Sequence, residues 1–132
     1  QLNQSRNDTI EKLDDWLAAQ IIRSGIRPQD GAKLNTETPG SVIDRLSILS
    51  LRIYHYHEQS LREDVEAAHH LRVQQRLEQC EQQHVDLTQS LKELLSEIES
   101  GIRWHKIYRH MKMYNDPAFN PYLYESKRQP NA

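Results

Sequence analysis

The chain has 132 residues, of which 36% are hydrophobic and 27% are charged, and its formal net charge is −2. This length and composition predict one compact domain with a single core and argue against a second domain. The weak net charge gives no electrostatic footprint for nucleic acid, and no apolar run approaches the roughly 20 residues of a membrane-spanning helix, so we expect a cytoplasmic protein with no nucleic-acid partner and no membrane span.

The first predicted helix runs from about Asn3 to Ser24. Its apolar residues recur at helical spacing and form one stripe, which comprises Ile10, Leu13, Trp16, Leu17 and Ile21. Gly25 follows this stripe and favours the left-handed conformation that ends many helices. The segment Gly25–Glu37 includes Pro28 and Gly31, and it predicts a loop longer than most helix connections in bundles.

The second predicted helix begins at Thr38–Ser41. Pro39 suits the first turn of a helix, and the spacing of Ser41 and Asp44 is that of a capping box. The side chains predicted to face the core are Ile43, Leu46, Leu49, Ile53 and either Tyr56 or His57.

A chain reversal is predicted near Ala67–Arg72, where the apolar periodicity lapses. Neither Gly nor Pro occurs from Ser41 to Ser100, and an unbroken helix of that length would span roughly 90 Å, which is too long for this chain. The third predicted helix follows the reversal and ends at Gly101. Its inward stripe comprises Leu77, Cys80, His84, Leu87, Leu91, Leu94 and Ile98.

Beyond Gly101 we predict a short helix, Ile102–Met113, and then turns set by prolines. Aromatic residues of the tail are predicted to strap it across the bundle or, alternatively, to wall a ligand pocket; they are Tyr114, Phe119, Tyr122 and Tyr124. Residues 126–132 are predicted to be disordered. The predicted fold class is all-α, an antiparallel bundle of three long helices with a short C-terminal helix and an irregular aromatic tail, in one domain over residues 1–125.

Four segments of the chain resemble one protein family. They are LNQSRNDTIEKLD (Leu2–Asp14), ETPGSVIDRLSILSLRIYH (Glu37–His55), QQHVDLTQSL (Gln82–Leu91) and KMYNDPAFNPYLY (Lys112–Tyr124). In this order they resemble the bacterial domain-of-unknown-function family 4254. The resemblance implies an all-helical cytoplasmic protein, often encoded near glycosyltransferases of lipopolysaccharide and envelope-glycan synthesis, and it supplies no catalytic residues.

Polar residues of all three helices are predicted to share one layer of the bundle. If neighbouring helices are antiparallel, equal counts from the helix ends place Arg6 beside Glu58 and beside Gln82–Asp86. The members of this layer are Arg6, Asn7, Asp8, His55, His57, Glu58, Arg62, Gln83, His84 and Asp86. Because Arg6 and His84 fall on otherwise apolar stripes, where an unpaired charge is costly, Arg6 is predicted to be paired in the interior. The carboxylates within reach are predicted to be Glu58 and either Asp8 or Asp86.

Two interpretations of the polar layer remain open. It is either a buried network of ion pairs and hydrogen bonds that fixes the helix register, or a pocket for an anion. In the pocket, Arg6 and Arg62 would hold a phosphate or carboxylate by bidentate hydrogen bonds, and His84 or Glu58 would orient the ligand.

A metal site is a further alternative, because Glu66 and His69, and likewise Glu81 and His84, repeat the Glu-x-x-His spacing of di-iron helical bundles. Such a site also needs a carboxylate from each of two further helices at the same height. Chance accounts for one such pair in a chain this rich in Glu and His. We therefore assign no metal ligand, no cofactor and no catalytic residue.

Three classes of function follow from these patterns. The leading hypothesis is a non-enzymatic binding or assembly protein that serves bacterial envelope-glycan synthesis, with a glycosyltransferase as partner. The second is a small helical enzyme or binder that acts on a phosphorylated sugar or nucleotide, and the third is a di-metal protein. A homodimer is also predicted, because Ile48, Leu51 and Tyr54, flanked by Ser47 and Ser50, form an apolar strip unless the tail covers it.

Overall fold

The computed structural model describes residues 2–109 of the chain. Over this range the chain forms three helices and no strand, namely α1 (Leu2–Arg23), α2 (Pro39–Ser60) and α3 (Ala67–Glu99). The prediction of an all-helical fold is therefore confirmed. None of these described helices is long and apolar enough to cross a lipid bilayer.

α1 ends where the sequence predicts, at a left-handed glycine. Gly25 has a φ of 70°, and its N–H donates to the carbonyl oxygen of Ile22 at 3.1 Å. The N–H of Ile26 donates to the carbonyl of Ile21 at 3.2 Å. This pair of bonds is the Schellman arrangement, which satisfies carbonyls that the helix end leaves free.

α2 begins with Thr38 as its N-cap residue. The Thr38 side chain accepts a hydrogen bond from the N–H of Ser41 at 3.1 Å, and Pro39 occupies the first turn, where a missing N–H costs nothing. The predicted start is confirmed, but the capping box of Ser41 and Asp44 is wrong. Asp44 faces α1 instead, where it accepts hydrogen bonds from Arg6.

The reversal between α2 and α3 occupies residues 61–66, so the predicted position at Ala67–Arg72 is wrong. Ala67–Arg72 is instead the beginning of α3. The turn contains no Gly or Pro, and polar side chains hold it. The Oε1 atom of Gln59 accepts from Arg62 Nη1 at 3.0 Å and lies 3.2 Å from His69 Nε2, which links the end of α2 to the start of α3.

The core lies mainly between α2 and α3 and is formed by Val42, Leu49, Val73, Leu77, Cys80, Leu94 and Ile98. The inward stripe predicted for the third helix is confirmed, since each of its members is buried or half-buried. In α2, Val42 is buried at 4% exposure while the predicted Ile43 is 39% exposed. Burying one aliphatic side chain of this size stabilises the fold by roughly 1.5–3 kcal/mol.

The contacts between α2 and α3 follow opposite chain directions. Val42 and Leu94 line one cavity, Leu49 and Leu87 line another, and His57 Nε2 lies 3.9 Å from Glu81 Oε1. Residue numbers therefore rise along α2 as they fall along α3.

Residues 102–109 are not helical, so the predicted helix Ile102–Met113 is wrong over its described part. The chain instead pairs with the α1–α2 loop. Lys33 N–H donates to the carbonyl of Ile102 at 2.9 Å, and Trp104 N–H donates to the carbonyl of Lys33 at 3.0 Å. The predicted aromatic tail and disordered end lie outside the described residues.

The register of α1 on α2 determines which surfaces are covered. Arg6 contacts Asp44, the carbonyl of Ile10 lies against Gly40, and Asp14 contacts Thr38. The described part of α1 therefore covers only the N-terminal half of α2. The later residues Leu51 and Tyr54 remain 59% and 61% exposed.

The sequence count that set Arg6 beside Glu58 is wrong because the loop after α1 returns along the helix. Thr38 bonds to Asp14, which lies nine residues before the end of α1 at Arg23. Nine residues of helix span about 14 Å. The start of α2 is displaced by this length from the end of α1, and every residue pairing between the two helices shifts with it.

Candidate functional site

The junction between α1 and α2 is organised by the carboxylate of Asp14, which is only 2% exposed. Its Oδ1 atom accepts from the N–H of Gly40 at 2.9 Å, and its Oδ2 atom accepts from the hydroxyl of Thr38 at 2.5 Å. A buried carboxylate is favourable here because it satisfies N-terminal donors of α2 and lies at the positive end of the helix dipole.

Gly40 is required at this junction by the close approach of α1. A Cβ atom at position 40 would lie 2.8 Å from Asp14 Oδ1 and 2.8 Å from the carbonyl oxygen of Ile10. The Ile10 oxygen belongs to the backbone, and the buried Asp14 carboxylate is held by its hydrogen bonds to Thr38 and Gly40. The Asp14 carboxylate and the glycine thus fix how closely the two helices approach.

The segment after α3 also attaches to α1. His105 Nε2 donates to the backbone carbonyl of Asp14 at 3.0 Å, and Arg109 forms a bidentate pair with Asp15 at 2.8 and 3.1 Å. Among the described residues, His105 Nδ1 is buried without a hydrogen-bond partner. The Arg109 guanidinium lowers the pKa of the Asp15 carboxyl through these hydrogen bonds.

Arg6 is paired, but with a different partner and in a different place from those predicted. Its Nη2 and Nε atoms donate to the two carboxylate oxygens of Asp44 at 2.7 and 3.1 Å. The Arg6 side chain is 47% exposed, so the expected interior position is wrong. The guanidinium hydrogen bonds lower the pKa of the Asp44 carboxyl.

Arg62, the second arginine of the predicted layer, lies beyond the end of α2. Its guanidinium forms a bidentate pair with Asp64 at 2.9 and 3.0 Å. Asp44 and Ser60 are sixteen residues apart on α2, a separation of about 24 Å. The structure therefore does not bring Arg6 and Arg62 to one anion.

The remaining residues of the predicted layer are distributed along the helices. Asn7 and Asp8 are half-buried on α1, where Asp8 Oδ1 accepts from Gln4 at 2.9 Å. Glu58 bonds to His55 at 3.1 Å, and both side chains are exposed. His84 is half-buried on the inward stripe of α3.

The di-metal alternative finds no support in the described part of the chain. No group of three or more His, Cys, Asp or Glu side chains among residues 2–109 is arranged to hold a metal ion. Glu66 and His69 lie at the start of α3, beside the turn. Glu81 of the other Glu-x-x-His pair approaches His57.

A groove between α2 and α3 collects charged side chains that the sequence did not single out together. Its volume is about 420 Å³, and its lining residues are Arg45, Ile48, Leu49, Arg52, Gln83, Asp86 and Leu87. Arg45 Nη1 also donates to Glu37 Oε1 at 2.7 Å. Asp86 and Gln83 are members of the predicted layer, but the arginines that accompany them are Arg45 and Arg52.

The comparisons with known proteins agree with the resemblance noted in the sequence. The sequence profile of a family described as "Protein of unknown function (DUF4254)" matches residues 1–107. The chain belongs to the DUF4254 family. No curated protein and no solved structure matches it.

Two features of the DUF4254 sequence indicate these sites in addition to the predicted polar layer. Asp14 follows Ile10 by four residues and therefore lies on the apolar side of α1, the position expected of a buried, hydrogen-bonded carboxylate. Arg45 and Arg52 are seven residues apart and lie on one helix face. The spacing of the arginines gives no indication that Asp86 lies opposite them.

Proposed function

We propose that this DUF4254 chain is a non-enzymatic binding or assembly protein. It acts through the face of α2 that carries Leu51 and Tyr54, which we call the uncovered face. The observation that supports this function is the exposure of large apolar side chains on α2 in the described part of the chain. Leu51 and Tyr54 are 59% and 61% exposed. Contiguous apolar surface of this kind marks interaction sites in soluble proteins.

The uncovered face has a shape suited to a partner helix. A shallow cavity of about 390 Å³ runs along it and is lined by Ile48, Leu51, Arg52, His55, Tyr56 and Gln59. These positions recur at helical spacing and form a continuous strip, as in grooves that receive a second helix. Ile48 and Arg52 also line the charged groove, so the two surfaces are continuous.

We propose a second copy of the chain as the first partner of this face. In the proposed arrangement, α1, α2 and α3 form an antiparallel bundle within one domain, and the C-terminal half of α2 forms a two-helix hairpin with the N-terminal half of α3. Two such hairpins related by a twofold axis would complete a four-helix bundle and cover Leu51 in both copies.

Analytical ultracentrifugation at micromolar concentration tests this arrangement. We expect a species of twice the 15.6 kDa chain mass, and the Leu51→Glu variant should sediment at the mass of one chain. Ile22→Glu is the matched control, because Ile22 is 78% exposed near the end of α1 and lies outside the hairpin. A wild-type chain that sediments as a monomer at these concentrations would contradict the homodimer.

We further propose that the chain binds a larger protein partner in the cytoplasm. The resemblance to the bacterial family suggests a glycosyltransferase of envelope-glycan or lipopolysaccharide synthesis. The test is purification of a tagged chain with glycosyltransferases encoded beside it. Capture by the wild type and by Ile22→Glu, with loss in Leu51→Glu, would support the uncovered face as the docking surface.

As a second candidate function, the protein binds a phosphorylated sugar or nucleotide or acts on it as an enzyme. The predicted polar layer does not assemble around Arg6 and Arg62, which have carboxylate partners of their own. The observation that favours this candidate is the α2–α3 groove, where Arg45 and Arg52 line a cavity of about 420 Å³.

A further inference from the structure

We propose that the α2–α3 groove binds a small phosphorylated polyol, with Arg52 holding the phosphate and Asp86 and Gln83 holding hydroxyl groups. This proposal deepens the second candidate function and rests on it. It assigns the ligand to residues that line one cavity, instead of to the separated Arg6 and Arg62.

The group that binds an anion in this groove is the guanidinium of Arg52. Within the described range Arg52 is exposed and has no hydrogen-bond or ion-pair partner. Its planar guanidinium presents paired N–H donors that match two oxygens of a phosphate. Arg45 brings a second positive charge to the lining and Asp86 brings a negative one.

The two arginines differ in their freedom to bind. Glu37 Oε1 already accepts from Arg45 Nη1 at 2.7 Å, whereas Arg52 has no such competitor among the described residues. Arg45 lies two turns before Arg52, about 10.5 Å along the helix axis. The phosphate therefore lies at the Arg52 end of the groove, and Arg45 contributes a weaker, longer-range attraction.

Asp86 and Gln83 favour a ligand that carries hydroxyl groups in addition to its phosphate. An ionised carboxylate only accepts hydrogen bonds, so Asp86 repels a phosphate and needs a donor such as a hydroxyl group. One of its oxygens accepts from Gln82 at 2.9 Å, which leaves acceptor capacity for a ligand. The Gln83 amide both donates and accepts, which suits further hydroxyl groups.

The groove also has an aliphatic part. Leu49, at 4% exposure, lines it together with Ile48 and Leu87. These side chains offer an apolar surface to the C–H face of a sugar ring. A volume of about 420 Å³ also falls in the range of small-molecule sites, roughly 300–1,000 Å³.

Isothermal titration calorimetry at low salt tests the proposal with three probes: glucose 1-phosphate, inorganic phosphate and glucose. We expect saturable binding of glucose 1-phosphate, weaker binding of phosphate, and no detectable binding of glucose. Arg52→Gln should weaken glucose 1-phosphate at least about tenfold, because a charge-assisted bidentate contact is lost. Arg45→Gln should weaken it less.

Two further variants distinguish a specific binding site from nonspecific electrostatic attraction. Asp86→Asn should weaken glucose 1-phosphate but leave inorganic phosphate unchanged or bound more tightly, since it removes a repelling charge. Arg76→Gln, on an exposed part of α3 outside the groove, is the matched control and should change nothing. Equal weakening by Arg76→Gln and Arg52→Gln would overturn the proposal, as would no saturable binding at millimolar concentration.

The same titration on Leu51→Asn keeps this site apart from the assembly function, because asparagine removes the apolar side chain without adding a charge beside Arg52. Binding of glucose 1-phosphate by a Leu51→Asn chain that sediments as a monomer supports a groove that works within one copy. Binding that disappears in this variant assigns the ligand to the interface between copies and overturns the groove as proposed.

Discussion

The carboxylate of Asp14 on α1 accepts a hydrogen bond from the backbone N–H of Gly40, 26 positions later in the chain. This contact joins the middle of one helix to the first turn of the next. It therefore sets the position of α1 along α2, and with it the α2 residues that the described part of α1 contacts.

Replacing Asp14 by alanine should lower the free energy of unfolding by about 1–3 kcal/mol. The change leaves the Gly40 N–H and the Thr38 hydroxyl buried without their acceptor, which is the costly way to lose a hydrogen bond. Urea denaturation followed by circular dichroism measures this difference. Asp30→Ala in the exposed loop is the control, and an equal loss there would argue against a special role for Asp14.

Gly40→Ala should also destabilise the fold, by about 1–3 kcal/mol, although alanine has the higher helix propensity. The added methyl would lie within 2.8 Å of Asp14 Oδ1 and of the Ile10 carbonyl, so α1 must move away. Ser50→Ala on the exposed side of α2 should stay within about 0.5 kcal/mol of the wild type. The comparison requires only thermal denaturation of three proteins, and a Gly40→Ala chain as stable as the wild type would contradict the close approach.

The pair of Arg6 and Asp44 should make stability depend on pH at its acid end. Hydrogen bonds from Arg6 place the pKa of Asp44 in the folded chain below its ordinary value of 3.8. The stabilisation is therefore present above pH 3.8 and is lost as the pH falls through the lower, folded value. The effect is moderated by solvent and salt, since the Arg6 side chain is 47% exposed.

An NMR titration of the Asp44 carboxyl in the wild type and in Arg6→Gln measures this effect directly. The pKa of Asp44 should be higher in Arg6→Gln, and the stability difference between the two proteins should shrink as the solution is acidified. Arg23→Gln, an exposed change at the end of α1, should leave the Asp44 titration unaltered. An unchanged pKa in Arg6→Gln would show that the pair does not persist in solution.

Local sequence signals predicted the helices well where one residue determines the local conformation. Gly25 and Gly101 end their helices with φ angles of 70° and 77°, and Pro39 lies in the first turn of α2. The turn at residues 61–66 was misplaced because it has no Gly or Pro and depends on Gln59 and Arg62 side chains. The predicted helix at Ile102 does not form, because the backbone of Ile102 and Trp104 bonds to Lys33, a partner distant in the sequence.

The candidate site was harder to predict than the fold because it depends on register between helices. A count from the helix ends assumed that the loop after Gly25 stays at one end, whereas Thr38 returns to Asp14. This assumption placed Arg6 beside Glu58, whereas in the structure Arg6 bonds to Asp44. No periodicity within one helix carries that information, so Arg52 and Asp86 could not be placed on one groove from sequence.

The hydrogen bond from His105 to the Asp14 carbonyl joins residues 91 positions apart, whereas α2 and α3 are joined by a turn of six residues. Closing the longer loop costs more chain entropy and delays contacts of this kind during folding. We therefore expect the α2–α3 hairpin to form first, then the contact of Asp14 with Gly40, which are 26 positions apart, and last the docking of residues 102–109 on α1. In pulsed hydrogen exchange during refolding, amides of the α2–α3 contact would gain protection before those of α1.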